Sequence, residues 1–285
     1  MFVIIGSIVV LVSVLFGFTL GGGHLLLLWH PTEFVIICGA AAGAFVVSNP
    51  PKVVKAAGAG IFALLRGPRY DRKEYVELFK LLYDILMKAR KAGMLGIESH
   101  VDDPSKSDIF TRYPRILADH EMIEFITDCL RLMIGGNLDP HELESLLEYE
   151  LETYLKEVEE PAHAVQKMSD ALPGFGIVAA VLGIVSTMAS IEGADTATIG
   201  RNVAAALVGT FLGILVAYGF VGPIASAMEH RARQECKAFE LVKMAFVASV
   251  RGYAPQVAIE FARKLLFSDV RPTFSDLETH LKGSR

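Results

Sequence analysis

The chain has 285 residues, of which 52% are hydrophobic and 21% charged, and its formal net charge is −5. Its mean hydropathy of +0.43 is too high for an average soluble domain, and charged residues are nearly absent from four stretches. Because no basic face dominates, the composition argues against a nucleic-acid partner. It predicts a membrane protein with a substantial water-exposed part.

Two apolar stretches open the chain. Residues 2–20 are almost entirely Ile, Val, Leu, Phe and Gly, a run long enough to cross the ~30 Å hydrocarbon core of a bilayer. The run follows Met1 directly, without the basic start or cleavage site of a secretory signal, and therefore predicts a retained membrane span. Residues 34–54 predict the second span, and Trp29 in the link between the two suits the membrane interface.

The basic residues predict how the spans are oriented. The link before the second span has no Lys or Arg, whereas six basic residues follow that span closely: Lys52, Lys55, Arg66, Arg69, Arg72 and Lys73. A later apolar hairpin has Glu192 and Asp195 in its loop, Arg201 at the loop's far edge, and basic residues from Arg231 onward. Because positive charge favours the cytoplasmic side, four spans with both termini in the cytoplasm satisfy every loop.

Water-exposed helices are predicted between the two hairpins and after the second one. Apolar residues at helical spacing, or capping signals, indicate three segments: residues 71–93, 119–134 and 139–158. The third is strongly acidic, and we interpret its charge as a solvated face, with a docking surface or a repulsive spacer as the alternative. Residues 233–266 predict further helix with a break at 252–255.

The second hairpin, residues 171–228, is unusually rich in small residues. None of the four predicted spans has Asp or Glu in its interior, so a proton path would need a carboxylate from another subunit. A helix of that subunit could lie in a groove formed by small side chains: Ala179, Ala180, Gly183, Gly209 and Gly213. Ordinary packing within the four-helix unit is the alternative explanation of the same residues.

Signatures of catalysis and of metal binding are missing. His141-Glu142 lacks the second His of a zinc-protease helix, and no phosphate-binding loop or nucleophile elbow occurs. The three cysteines, Cys38, Cys129 and Cys236, are too widely spaced for a zinc site and are expected to be reduced thiols. The sequence therefore predicts a protein that is not an enzyme and that has no cofactor and no metal ligands.

Several motifs, found in order along essentially the whole chain, resemble the MotA family of flagellar stator subunits. They are the opening of the chain through PTE at residues 31–33, ARKAGMLGIE at 89–98, YPRILAD at 113–119, LPGFGIVAA at 172–180, VGTFLGILVAYG at 208–219, GYAP at 252–255 and RPTF at 271–274. The resemblance implies an all-α membrane protein with four transmembrane helices, a helical cytoplasmic domain inserted between spans two and three, and a cytoplasmic C-terminal helical tail.

The resemblance also implies partners and functional residues. Five copies of such a chain surround two copies of a single-span MotB-like subunit, whose Asp takes up the proton, in the bacterial inner membrane. The residues that match the family's ion path and partner groove are Pro173, Ala180, Thr210, Tyr218 and Pro223. Arg90 and Glu98 match the charged pair that engages the rotor protein FliG.

Ala180 bears on which ion is used. Sodium-driven relatives have Thr at this position, seven residues after the proline of span three, and a methyl group cannot ligate Na⁺. We therefore predict that the translocated ion is H⁺. The family often has Ala after that proline, whereas this chain has Gly174. The role of the proline in the family therefore applies less directly to Pro173 of this chain.

The predicted domains are residues 1–54 (spans one and two), 55–170 (rotor-facing cytoplasmic domain), 171–228 (spans three and four) and 229–285 (cytoplasmic C-terminal helices). The predicted function is the coupling of proton flow to torque on the rotor. One alternative is a TolQ/ExbB-type proton-channel subunit that energises envelope processes, although that type usually has three spans. The other is a membrane scaffold that conducts no ions.

Overall fold

The computed structural model describes residues 2–136, 139–189 and 195–282, and every regular element in these ranges is helical. Glu192 of the predicted outer loop lies outside the described residues. The α-helices of the described ranges are α1 (Phe2–Leu20), α2 (Pro31–Ser48), α3 (Pro51–Ala63), α4 (Arg72–Ala92), α5 (Glu98–Asp102), α6 (Pro114–Leu117), α7 (His120–Ile134), α8 (Pro140–Ala189), α9 (Thr196–Val216), α10 (Gly222–Val250), α11 (Pro255–Lys264) and α12 (Phe274–Lys282). Four of the helical segments, those that contain α1, α2, α8 and α9, are long and apolar enough to cross a membrane. The predicted all-α class and the four spans are confirmed.

The chain divides into two compact units. Unit 1 consists of Met1–Gly67 and Glu157–Arg231, and unit 2 of Pro68–Lys156 and Ala232–Arg285. Unit 1 therefore contains the four apolar segments, and unit 2 contains the amphipathic helices.

In unit 1, one face of α2 packs against α8 and α9. Its buried residues, Glu33, Ile37 and Ala41, recur every four positions and so lie on one side of the helix. Ile37 and Ala41 share a buried cluster with Leu172 and Ala179 of α8. The polar member of this face, Glu33, is only 7% exposed.

The second span differs in its bounds from the prediction of residues 34–54. Pro31 occupies the first turn of α2, where its fixed φ favours a helix start, and this brings Glu33 into the helix. Glu33 therefore adds a carboxylate to the first turn of α2, whereas the interior of the helix has no Asp or Glu. The helix ends at Ser48 because Asn49, which precedes Pro50, is extended (φ −129°, ψ 143°). A separate helix, α3, follows.

Unit 2 is built around a core from α4, α7, α10 and α11. Asp71 caps α4 by accepting bonds from the backbone amides of Lys73 and Glu74, and the Glu74 carboxylate accepts a bond from the Asp71 amide. Gly93, at φ +76°, ends the helix. The predicted amphipathic helix over 71–93 is confirmed, as is the helix over 119–134, which corresponds to α7.

Helix α8 is longer than the predicted acidic segment 139–158. It runs for 50 residues and includes Pro161 and Pro173, so the acidic segment and span three belong to one helix. Each proline removes a single backbone bond. Ala162 and Leu172, which lie between the two prolines, are buried at 3% and 0% exposure, and this packing stabilises the helix between them.

Candidate functional site

Helices α8 and α9 approach each other at backbone distance. A Cβ atom on Gly213 would lie 2.8 Å from the Leu172 carbonyl oxygen and 2.9 Å from the Gly176 Cα. One turn further, a Cβ atom on Gly209 would lie 3.2 Å from the Ala179 Cβ and 3.3 Å from the Ala180 nitrogen. Only residues without a side chain, or with a very small one, permit this approach.

The small residues of the predicted groove are therefore in contact with one another. Gly183 continues the seam toward the end of α8, where a Cβ atom would lie 2.9 Å from the Ala206 Cβ. This is the packing that the alternative explanation expects. The outer side of the same helices exposes large apolar side chains instead: Ile177, Val178, Val181, Leu182, Ile184, Val185, Leu207 and Ile214.

Three of the predicted ion-path residues lie along this seam. Ala180 is 8% exposed, next to Gly209, and presents only a methyl group. Thr210 is half-buried, and its Cα would lie 3.3 Å from a Cβ atom on Gly176. Pro173 is half-buried next to the Leu172 carbonyl that Gly213 approaches. The structure thus brings Ala180 and Thr210 to neighbouring levels of one helix crossing.

The other two predicted residues lie on the outer surface near a π-helix. Residues Ala217–Val221 form this turn, and Tyr218 within it is 66% exposed. Pro223 is exposed just beyond it. Because a proline ring clashes with the carbonyl four residues earlier, a widened turn before Pro223 relieves that clash.

A buried serine that the sequence analysis missed braces the π-helix. Ser169, fully buried on α8, donates a hydrogen bond to the Ala217 carbonyl oxygen at 2.9 Å. A Cβ atom on Gly222 would lie 3.2 Å from the Ser169 Oγ. Pro173 lies one turn after Ser169, and Pro223 directly follows Gly222, so both prolines flank one contact. No sequence signal distinguished Ser169 from other hydroxyls near a span.

Arg90 and Glu98 are both exposed in unit 2. Arg90 lies in the last turn of α4, where positive charge is favourable, and Glu98 begins α5. Between them are Gly93 and the short 3₁₀ helix Met94–Ile97. Within the described ranges, neither side chain has an ion-pair partner, so both charges are available to another molecule.

Residues of the motif at 113–119 form side-chain hydrogen bonds within unit 2. Tyr113 donates to Asp84, and Asp119 accepts from the Tyr70 hydroxyl at 2.6 Å and from Arg69 at 2.7 Å. Burial, together with the bond to Asp119, raises the pKa of Tyr70 well above its usual range. These groups fix the start of α7 and are not exposed for a partner.

Glu33 is the second functional candidate that sequence reasoning missed. A Cβ atom on Gly183 would lie 3.8 Å from its Oε1, and its buried Oε2 has no hydrogen-bond partner in the described part of the chain. The available signal was a carboxylate two residues after a helix-starting proline. Elsewhere in the described residues, no group of three or more His, Cys, Asp or Glu side chains could hold a metal ion.

Two family models match the chain in sequence. Residues 4–93 match the Motility protein A N-terminal family, and residues 118–241 match the MotA/TolQ/ExbB proton channel family. Motility protein A of Salmonella typhimurium is 43% identical over 285 residues, covering 100% of this chain and 96% of that protein. Chemotaxis protein LafT of Vibrio parahaemolyticus is 44% identical, with 97% of each chain covered.

The fold is similar to that of two solved stator structures. The match to C. jejuni MotAB has a TM-score of 0.75 at 20% identity and covers 95% of this chain and 98% of that chain. The match to the flagellar MotAB stator complex of Bacillus subtilis has a TM-score of 0.70 at 23% identity, with 97% and 98% covered. Because the identity to the Salmonella relative extends over the full length, the chain belongs to the Motility protein A family, within the MotA/TolQ/ExbB proton channel family.

Proposed function

We propose that this chain is the larger subunit of a flagellar stator that couples proton flow across the inner membrane to torque on the rotor. The observation that supports this most directly is the outer side of α8 and α9, which exposes large apolar residues that suit a membrane-embedded partner. Residues 171–189 of α8 include no ionisable side chain. Family membership and the four apolar segments agree with it.

The partner is a MotB-like single-span subunit that supplies the proton-carrying Asp. The similar solved structures are of MotAB complexes, which supports such a partner and an oligomeric assembly, here a pentamer around two partner chains. The partner helix lies along the outer face of α8 and α9, near Pro173, Thr210, Tyr218 and Pro223. Neutralising its Asp removes a large desolvation cost and changes how that helix packs.

Residues 1–54 and 171–228 form the membrane part, with both termini in the cytoplasm. Residues 55–170 and 229–285 form the cytoplasmic part, and Arg90 and Glu98 engage charged residues of FliG. One proton crossing 100 mV releases about 2.3 kcal/mol, which suits a ring that advances one subunit at a time. Exposed ion pairs are individually weak, as contacts that form and break repeatedly must be.

A TolQ/ExbB-type subunit is the alternative within the same family of channels. The match of residues 4–93 to the Motility protein A N-terminal family favours the stator, because these residues include the first hairpin. The other alternative, a scaffold that conducts no ions, would give Pro173, Pro223 and Thr210 no common function. The family is one of proton channels and not of enzymes.

Motility of a strain that lacks its own larger stator subunit tests the proposal. This chain, expressed with its partner, should restore swimming in medium without Na⁺, and the speed should follow the proton gradient. Swimming that stops when Na⁺ is removed would contradict proton coupling. Cells without filaments would contradict a stator role, since a stator drives a completed filament and does not build it.

A further inference from the structure

The carboxyl group of Glu33 is enclosed by helices of its own chain. Glu33 lies on the face of α2 that packs against α8 and α9, where it is 7% exposed and therefore 93% buried. Its Oε2 lacks a hydrogen-bond donor among the described residues. Gly183 of α8 lies next to the carboxyl group: a Cβ atom there would lie 3.8 Å from Oε1, at ordinary van der Waals distance. The same Cβ atom would lie 2.9 Å from the Ala206 Cβ of α9, so three helices meet at Glu33.

Few charged groups face this carboxylate. His30, at the start of α2, is the titratable side chain that acts on it electrostatically. Helices α8 and α9 present Gly183 and Ala206, and their membrane segments contain one ionisable residue, the exposed Arg201. The buried Oε2 has no donor among the described residues, so the ionised carboxylate is costly there and the protonated acid is far less costly.

Glu33 lies close to the predicted ion path when positions are compared along the axes of α8 and α9. Gly183 lies three residues, about 4.5 Å along the helix axis, beyond Ala180. Ala206 lies four residues, about 6 Å, before Thr210. By the orientation that the basic residues predict, Glu33 is therefore about one helical turn to the periplasmic side of the Ala180–Thr210 level.

We propose that Glu33 is a second proton-binding site of the stator, provided by this chain on the periplasmic approach to the partner's Asp. The inference rests on the proposed function. A proton from periplasmic water binds one oxygen of the Glu33 carboxylate, giving the neutral acid, and later leaves it for the partner's Asp through water. The Glu33 carboxylate is then regenerated, so no net chemistry occurs on this chain.

The first test uses three variants in the complete partner-bound complex. Glu33→Gln keeps the size and polarity of the side chain but removes proton binding, and Glu33→Asp keeps the carboxyl group. Thr32→Glu combined with Glu33→Gln moves the carboxylate to the neighbouring exposed position, since Thr32 is exposed on the same turn. Membrane content and copurification with the partner serve as the assembly control.

We expect Glu33→Gln to lower proton conductance about tenfold, less than the ~10²-fold typical of positioned proton-transfer groups because water remains as a carrier. Its swimming speed should lose most of its response to external pH. Glu33→Asp should retain a substantial part of both. The double variant should remain as impaired as Glu33→Gln if the buried site matters, and recover if surface charge alone attracts protons, which would overturn the inference.

An infrared measurement tests the same inference without changing Glu33. In a complex whose partner lacks its membrane carboxylate, Glu77→Gln removes the other described carboxylate that has a buried oxygen without a partner. Acidification of this complex should produce the carbonyl band of a neutral carboxylic acid at the high frequency typical of a weakly hydrogen-bonded group. The absence of this band would overturn the inference even if the Glu33 variants failed to assemble. Wild-type swimming that ignores the proton gradient contradicts the proposed function. If wild-type swimming follows the gradient and Glu33→Gln behaves identically, only the Glu33 inference fails.

Discussion

Ser169 and Ala217 are joined by a hydrogen bond from the serine Oγ to the alanine carbonyl oxygen, at 2.9 Å. The same carbonyl accepts the Gly222 amide, five residues later, which defines the π-helix. The bond therefore connects the turn before Pro173 on α8 to the turn before Pro223. Any movement of one proline relative to the other has to change or carry along this contact.

Ser169→Ala should destabilise unit 1 by about 1 kcal/mol, the usual net contribution of a buried hydrogen bond. The Ala217 carbonyl keeps its bond to Gly222, so the loss should not be larger. The thermal unfolding midpoint of the purified complex measures it. Thr19→Ala is the matched control, because Thr19 makes an exposed bond to the Phe16 carbonyl. An equal decrease in both variants would contradict a special contribution of Ser169.

Gly213→Ala should prevent the close approach of α8 and α9. Its Cβ would lie 2.8 Å from a backbone oxygen that cannot move aside, so we expect a cost of about 2–3 kcal/mol and less assembled complex in the membrane. Gly174→Ala and Gly39→Ala add the same methyl group where nothing lies within 4 Å. These controls should accumulate as the wild type does. Quantification of the complex in isolated membranes decides between the outcomes.

The sequence predicted best where local signals determine the structure. Asp71 and Glu74 form a capping box, and Gly93 has a positive φ, so both ends of α4 follow from neighbouring residues. The sequence did not predict which prolines end a helix, because that outcome depends on how the adjacent residues pack. Pro50 separates two helices, whereas Pro173 lies inside one whose adjacent Leu172 is fully buried.

For the candidate site, the sequence supplied residue types but not the contacts between them. Matching motifs identified Ala180 and Thr210, and the structure brings both to the seam of α8 and α9. The burial of Glu33 and the bond of Ser169 depend on which helix faces meet. Helical periodicity predicts only which residues share a face of the same helix. It does not predict which faces of different helices come into contact.

Arg90→Glu should abolish most torque without affecting assembly, because the side chain is exposed and the described residues offer it no ion-pair partner. Rotation of tethered cells measures torque, and copurification with the partner measures assembly. Lys91→Glu changes the charge equally at the adjacent exposed position and should have a smaller effect. Failure of Arg90→Glu to assemble would contradict its assignment to the rotor surface.

Glu260 and Arg263 provide a prediction about acid stability in unit 2. Arg263 is buried and donates to both Glu260 carboxylate oxygens, at 2.7 and 2.6 Å, and to the Pro272 carbonyl at 2.8 Å. The bonds from Arg263 lower the pKa of Glu260. Because the folded-state pKa is lowered, the ion pair stabilises the protein at pH values above the ordinary Glu pKa of about 4.3, and this contribution is lost as the pH falls through the folded-state value.

Glu260→Gln should therefore destabilise α11 at neutral pH by about 2 kcal/mol, in the range of hydrogen bonds to charged groups. The difference from the wild type should shrink as the medium becomes acidic, because the wild-type carboxyl group is then protonated as well. Hydrogen exchange of the α11 amides, corrected for the pH dependence of unstructured peptide, measures both effects. Glu152→Gln removes an exposed partner of Lys156 and should change little at any pH. A Glu260→Gln difference that is constant from neutral to acidic pH would mean that the pair does not supply the acid-sensitive stability.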